Sequence, residues 1–272
     1  MYKISTLNKI SPVGLKSLTD QYTITDDTEN ATGILVRSQD MHEMKFGKEL
    51  LGIARAGAGV NNIPLDTCAE QGIVVFNTPG ANANAVKELV LAALFLLARN
   101  IPAAMSWVNT IDEDIAKKVE KGKSQFAGTE IKGKVLGVVG LGAIGIMVAN
   151  AAESLGMEVK GYDPYFNTKA ALQLNPTIKV YDKLDDLLPL CNYVTVHVPA
   201  MSSTNGMFNK DLFAMMRDGT SLINFSRDKL INENDLLDAI NSGKICRYIT
   251  DFPTDCLCGK KGVILMPHLG AS

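Results

Sequence analysis

Only three histidines occur in the chain, His42, His197 and His268, and two of them directly follow apolar, strand-like runs. Histidine is the side chain best suited to give and take a proton near neutral pH, as a carbonyl–alcohol interconversion requires. His197 follows Tyr193-Val194-Thr195-Val196 and precedes Val198-Pro199, whereas His268 follows Leu265-Met266-Pro267. Position makes both of them acid–base candidates, with a satisfied core histidine as the alternative for each. His42 lies among Met41, Glu43 and Met44, where a helix and a structural or exposed role are expected. A substrate carboxylate would call for arginine, whose planar fork makes paired hydrogen bonds. Arg227, after Ile223-Asn224-Phe225-Ser226, and Arg37-Ser38, after Val36, are the candidates. A surface ion pair is the commoner fate of an arginine. Asp251 and Asp255 follow Ile249-Thr250 in the same manner. In Ala56-Gly57-Ala58-Gly59-Val60, bare amides after a strand could hold an anion, although a simple turn would also explain the glycines.

These groups need a second reactant, and the run Lys134 to Gly145 points to one. Val135 to Val139 reads as a buried parallel strand. Gly140-Leu141-Gly142-Ala143-Ile144-Gly145 then matches G-x-G-x-x-G, which gives a tight turn, a bare backbone for a pyrophosphate and close helix–strand packing. The following helix would aim its first amides at the phosphates. A second strand, Glu158 to Tyr162, delivers Asp163 where a carboxylate can accept hydrogen bonds from a ribose. The motif alone is weak; strand, turn, helix, second strand and acid together predict a dinucleotide site.

Composition narrows the partners. The formal charge of −2 leaves no basic footprint, so nucleic acid is not an expected partner. Met1 to Thr23 lacks the apolar core of a signal peptide, and the longest apolar run, Leu89 to Ala98, is about half a membrane span. No membrane partner and a cytoplasmic location are expected. The five cysteines, Cys68, Cys191, Cys246, Cys256 and Cys258, have no metal-site spacing, so reduced thiols and no metal are expected.

The elements that must position these residues alternate between strand-like and helix-like, the pattern of a parallel α/β protein. Strands are predicted at 33–36, 51–55 and 72–76 before the glycine motif, and at 178–181, 193–196, 221–224, 247–250 and 263–266 after it. Helices are predicted at 84–99, 183–188, 210–216 and 233–242, with Asn232 as N-cap and Asp235 at the third helical position. Residues 103–125, with Trp107, read as a charged surface helix or a dimerisation arm. Two α/β units result, the first with its last strand ending near Asn77-Thr78-Pro79-Gly80 and the second a doubly wound nucleotide-binding unit; the domain boundaries are set at 1–95 and 96–267.

Taken in order, these segments resemble the D-isomer-specific 2-hydroxyacid dehydrogenase family, and within it the branch acting on 3-phosphoglycerate. The likeness rests on Val36-Arg37-Ser38, Arg55 to Ile63, Asn77-Thr78-Pro79-Gly80, Gly140 to Gly145 and Tyr162-Asp163-Pro164. It continues through His197-Val198-Pro199, Ile223 to Arg227 and Pro267-His268-Leu269-Gly270-Ala271-Ser272. The resemblance implies a Rossmann domain beside a smaller flavodoxin-like substrate domain, NAD as cofactor and a homodimer.

It also implies roles. Arg227 would hold the substrate carboxylate and carbonyl, and His268 would be the acid–base group. Asp255, where relatives have glutamate, would orient His268. Gly140, Gly142, Ala143, Ile144 and Gly145 would cradle the pyrophosphate, and Asp163 would favour NAD over NADP. His197, Val198, Pro199, Phe225, Ser226 and Gly270 would lie on the cofactor side. An aspartate that contacts the nicotinamide carboxamide in relatives falls at Thr250 here, or is replaced by Asp251 next door. Arg37, Ser38 and the amides of Ala58 and Gly59 would grip the substrate, favouring 3-phosphoglycerate in serine biosynthesis. Transfer is expected in the cleft between domains, with closure about hinges near Ala98 and Pro267. The alternatives are another 2-ketoacid reductase, such as a glyoxylate or hydroxypyruvate reductase, and an NAD-sensing corepressor-like protein. In the family the chain returns to the first domain after the histidine motif, so a truncated or partial chain is expected.

Overall fold

The computed structural model describes residues 1–270, which divide into two compact units at Asn82/Ala83. The first unit contains β1 (Tyr2–Leu7), α1 (Pro12–Leu15), β2 (Tyr22–Thr25), β3 (Gly33–Val36), β4 (Gly52–Arg55), α2 (Leu65–Glu70) and β5 (Val74–Phe76). Its parallel sheet runs β2-β1-β3-β4-β5, the flavodoxin-like order. Ser5, Ile34, Ile53 and Val75 stand side by side across β1, β3, β4 and β5. Ile34 and Ile53 from this row form a core with Val36, Met41, Leu50, Ile63 and Cys68. The strands β1 and β2 were not expected from sequence, because Tyr2-Lys3-Ile4-Ser5-Thr6-Leu7 mixes polar residues into a short run. His42 is in a turn rather than a helix: Asp40 accepts hydrogen bonds from the His42 amide at 3.0 Å and from its Nδ1 at 2.6 Å. Such local side-chain bonding competes with helix formation.

The second unit opens with α3 (Ala83–Ala98), α4 (Ile101–Val108) and α5 (Ile115–Gly122). The predicted 103–125 helix is therefore broken, with Asp114 in the left-handed region (φ 46°) just before α5. Then come β6 (Val135–Val139), α6 (Ala143–Ser154), β7 (Glu158–Tyr162), α7 (Thr168–Ala171) and β8 (Lys179–Tyr181). The remainder is α8 (Leu184–Leu187), β9 (Tyr193–Val196), α9 (Lys210–Met215), β10 (Thr220–Asn224), α10 (Glu233–Asn241), β11 (Ile245–Thr250) and β12 (Val263–Leu265). Asn232 caps α10 as expected, accepting from the Asp235 amide at 3.2 Å.

The second sheet runs β12-β11-β10-β9-β6-β7-β8, and every pairing is parallel. The chain walks outward from β6 to β8, then crosses back to place β9 beside β6. That reversal is the switch point where a doubly wound sheet binds ligands. Neighbouring strand residues face opposite layers. Val138, Ile223 and Ile249 pack with α3 and α6 on one side, whereas Val139, Leu222 and Tyr248 pack with Phe208, Phe213 and Leu236 on the other. Two buried faces explain why these strands read as unbroken apolar runs.

The boundary at Asn82 replaces the expected one at 95. The reason is packing: Val86, Val90, Ala93, Leu94 and Leu97 of α3 are buried in the same core as Ile146, Val148 and Ala149 of α6. Leu94→Ala is therefore expected to cost about 2–5 kcal/mol, read as a fall in the urea midpoint at unchanged slope. An unchanged midpoint would contradict this placement of α3.

Candidate active site

The glycine turn lies at the carboxyl end of β6. Gly140 has φ 97°, and a Cβ there would stand 2.8 Å from the backbone carbon of His197. A Cβ on Gly145 would overlap the Gly140 carbonyl oxygen, so this glycine is what lets α6 sit against its strand. Gly142, by contrast, faces open space and caps α6 without a side-chain bond. The amides of Ala143 and Ile144 are first-turn donors with no intrahelical acceptor, as an anion at a helix start requires.

Asp163, just past β7, is tied to this turn. One carboxylate oxygen accepts from the Leu141 amide and the other from the Tyr165 amide, both at 2.8 Å. A carboxylate has lone pairs beyond those two, so Asp163 keeps capacity for ribose hydroxyls.

Beyond β9, His197 bonds Thr195 Oγ1 through Nε2 at 3.0 Å, and its Nδ1 is enclosed without a partner among the described residues. Burial lowers its pKa to about 4, so the ring is neutral at pH 7 and cannot serve as the charged member of an acid–base pair. Val198 and Pro199 follow it, and the Val198 carbonyl accepts from Ser226 Oγ at 2.7 Å, which locks the loops after β9 and β10 together.

Arg227 ends the β10 loop, half-buried, with Nη1 donating to the Ser226 carbonyl at 2.6 Å. The loop shape comes from Asn224, which is fully buried; its amide donates to the Arg227 carbonyl at 2.8 Å and its Oδ1 accepts from the Ser226 amide at 3.1 Å. Sequence reasoning quoted Asn224 within a motif and gave it no role. A polar residue closing a buried apolar strand was the available signal. Phe225 turns its ring into the core, so only its backbone is offered to a ligand.

At the end of β11, Thr250 and Asp251 divide. The Thr250 hydroxyl donates to the Asn224 carbonyl at 2.8 Å and accepts from the Phe252 amide at 3.2 Å, so it is committed to the sheet. Asp251 is fully buried; Oδ2 accepts from the Gly270 amide at 3.1 Å, and Oδ1 has no partner among the described residues. Burial pushes its pKa up, with the charge of His268 as the largest opposing influence. His268 is exposed, its ring edge-on to Phe252 at 4.9 Å between centroids. Asp255 is exposed as well, and no hydrogen bond joins it to His268 among the described residues. Neither Asp251 nor Asp255 hydrogen-bonds the His268 ring among the described residues. Thr254 beside Asp255 donates to Glu233 Oε1 at 2.9 Å, a tie that sequence reading missed.

In the first unit, Arg37-Ser38 and Ala58-Gly59 leave the carboxyl ends of the paired strands β3 and β4. Asn8 Oδ1 accepts from the Ser38 and Gln39 amides at 2.8 and 2.7 Å, and the Arg37 carbonyl accepts from Arg55 Nε at 3.1 Å. The amides of Ala58 and Gly59 donate to no protein acceptor among the described residues.

Residues 91–270 match the family model described as the NAD binding domain of D-isomer specific 2-hydroxyacid dehydrogenases. The chain belongs to this family. It is 34% identical over 256 residues to D-3-phosphoglycerate dehydrogenase of Sus scrofa, covering 90% of this chain and 46% of that protein. To the D-3-phosphoglycerate dehydrogenase of Synechocystis it is 35% identical over 278 residues, covering 99% and 48%. The chain thus spans about half the length of the curated relatives it matches. An NADPH-dependent glyoxylate/hydroxypyruvate reductase from Sinorhizobium meliloti superposes with TM-score 0.84 at 22% identity, covering 100% of this chain and 88% of that one. The holo form of D-mandelate dehydrogenase from Rhodotorula graminis gives 0.80 at 23%, covering 99% and 88%. At these identities the two structures speak for the fold.

A nicotinamide dinucleotide fits this chain's own groups: the open turn at Gly142, and two enclosed polar atoms without partners among the described residues, Asp251 Oδ1 and His197 Nδ1. Among the described residues no cluster of His, Cys, Asp and Glu could hold a metal ion, and no single helix is long and apolar enough to cross a membrane.

His197 also makes stability depend on pH. Its folded pKa of about 4 lies below the ordinary 6.5, so the unfolded chain takes up this proton first as the pH falls. Stability is lost from about pH 6.5 down to about pH 4, by about 3 kcal/mol in all. His197→Asn is expected to flatten the dependence of unfolding free energy on pH across that window. An identical slope in the variant would contradict the neutral, enclosed ring.

Proposed function

We propose that this chain carries the catalytic residues of an NAD-dependent oxidation of 3-phospho-D-glycerate to 3-phosphohydroxypyruvate, in serine biosynthesis. The observation that carries the reading is the shared sheet edge: Arg227, the buried Asp251 carboxylate and the exposed His268 follow the parallel strands β10, β11 and β12 of the unit that holds the glycine turn. The phosphoglycerate dehydrogenases among the relatives support the substrate.

In this reading Gly140, Gly142, Ala143, Ile144 and Gly145 receive the pyrophosphate and Asp163 the ribose. His197, Val198, Pro199, Ser226, the Phe225 backbone and Gly270 border the nicotinamide side. Asp251 rather than Thr250 offers the acceptor for the carboxamide, because the Thr250 hydroxyl is already used in the sheet. Arg227 fixes the substrate carboxylate by a bidentate pair. His268 takes the proton of the C2 hydroxyl as the C2–H bond breaks. The bound nicotinamide supplies the hydride acceptor. Asp255 supports the protonated ring, with Thr254 and Glu233 holding its loop. Arg37, Ser38 and the amides of Ala58 and Gly59 are the anion-binding groups of the first unit.

A homodimer completes the proposal, with the segment of α4 and α5 as its arm. Met105, Val108 and Ile115 are exposed there, and the Trp107 ring packs against Phe126 at 5.2 Å between centroids, tilted by 43°. Five free thiols suit the reducing cytoplasm.

Turnover of 3-phosphoglycerate with NAD is the expected activity, and His268→Ala is expected to lower kcat by about 10²–10⁴ with NADH affinity nearly unchanged. Equal turnover of unphosphorylated 2-hydroxyacids would overturn the substrate. A large loss of NADH affinity in the variant would make His268 a cofactor ligand instead.

A further inference from the structure

At the opposite end of the second sheet, where β6, β9, β10 and β11 begin, there is a cavity of about 290 Å³. It lies wholly within the second unit and contains none of the catalytic, cofactor or substrate residues assigned above. Lys134 and Arg247 line it, together with Asn192, Ser221 and Cys246, and no aspartate or glutamate does. Neither cation has an ion-pair partner among the described residues.

The wall is rich in donors and poor in free acceptors. Asn192 uses its carbonyl oxygen on the Val135 amide at 2.9 Å, which leaves its amide nitrogen to donate. The carbonyls of Leu97 and Ala98 already accept, from Arg247 Nη1 at 2.7 Å and from the Thr129 amide at 2.9 Å. One N–H of a guanidinium is thereby used, and the others remain.

Arg247 reaches this cavity through a bulge. Thr220 pairs with Ile245 whereas Ser221 pairs with Arg247, so Cys246 is an extra residue in β11. Without it Arg247 would share the face of Ile245; with it, Arg247 turns to the layer of α3 and Ile249. Bulges of this kind re-aim a side chain at a site.

We propose that this cavity binds a small organic acid with an anionic group at each end, of the dicarboxylate type. Two long cations without carboxylates, over a floor of hydrogen-bond donors, call for negative charge. Their strands are three intervals apart, about 14 Å between backbones, so the two side chains reach in from opposite ends. That separation suits two charged groups rather than one ion. The volume is at the small end of ligand pockets, which selects a short acid. The inference does not rest on the proposed reaction.

Cys246 provides the reporter, since its thiol is exposed on the cavity wall. Alkylation of the full chain by N-ethylmaleimide, followed per cysteine by peptide mass spectrometry, is measured with succinate, with neutral succinamide and with sodium chloride at matched ionic strength. Succinate is expected to slow Cys246 about tenfold at a concentration tenfold above its Kd, with Cys258 as the unprotected control. Lys134→Gln is expected to abolish the protection while NADH binding stays intact, which shows that the variant is folded. Equal protection by sodium chloride or succinamide would overturn the proposal, as would full protection in Lys134→Gln. Protection that appears on raising protein concentration without succinate would make the surface an interface between copies, and would overturn it as well.

Discussion

Every pairing in the seven-stranded sheet is parallel, and that one constraint governs the rest of the second unit. Parallel strands all leave the sheet at the same edge. The loops after β6, β7, β9, β10 and β11 are therefore assembled together, however far apart they are in sequence. Side-chain-to-backbone bonds then fix their spacing: Asp163 to Leu141 across β6 and β7, Ser226 to Val198 across β9 and β10, and Asp251 to Gly270 beyond β11. Helix α3 and helix α6 close one face, so the edge rests on a core with Val138, Ile223 and Ile249 fully buried.

The site uses burial to set protonation. His197 and His268 follow similar apolar runs, yet the first is enclosed and the second exposed. Burial without a charged partner holds His197 neutral, whereas His268 stands in water. Asp251 bears the counterpart cost. A carboxylate with no exposed surface and one unpartnered oxygen is unfavourable for folding, and such groups mark places where a ligand completes the hydrogen bonding.

Much of this was legible in the sequence. The glycine turn, its strand, Asp163 and the Asn232 cap are local features, so residue type and spacing were enough. The strands of the buried sheet were legible for the same reason, since two apolar faces leave continuous runs. What failed depended on tertiary context. The helix α3 looked like part of the first domain until its buried face was seen packing with α6. His42 looked helical because the Asp40 turn that breaks the helix is a side-chain effect. Thr250 and Asp251 could not be told apart from neighbouring positions in a chain; only the folded sheet shows that the Thr250 hydroxyl is already used. Asn224 was invisible as an organiser because its partners are backbone atoms of its own loop and the Tyr248 hydroxyl on a neighbouring strand.

The central claim is that Asp251 is held buried and under-bonded for a bound nicotinamide. Thermal melting and NADH titration of Asp251→Asn test it together, because the account gives the two readouts opposite signs. Removing the buried charge is expected to raise the melting temperature by about 3 °C for each kcal/mol of relieved desolvation, while NADH affinity falls. A variant that melts lower and binds NADH as tightly as the parent would contradict the account.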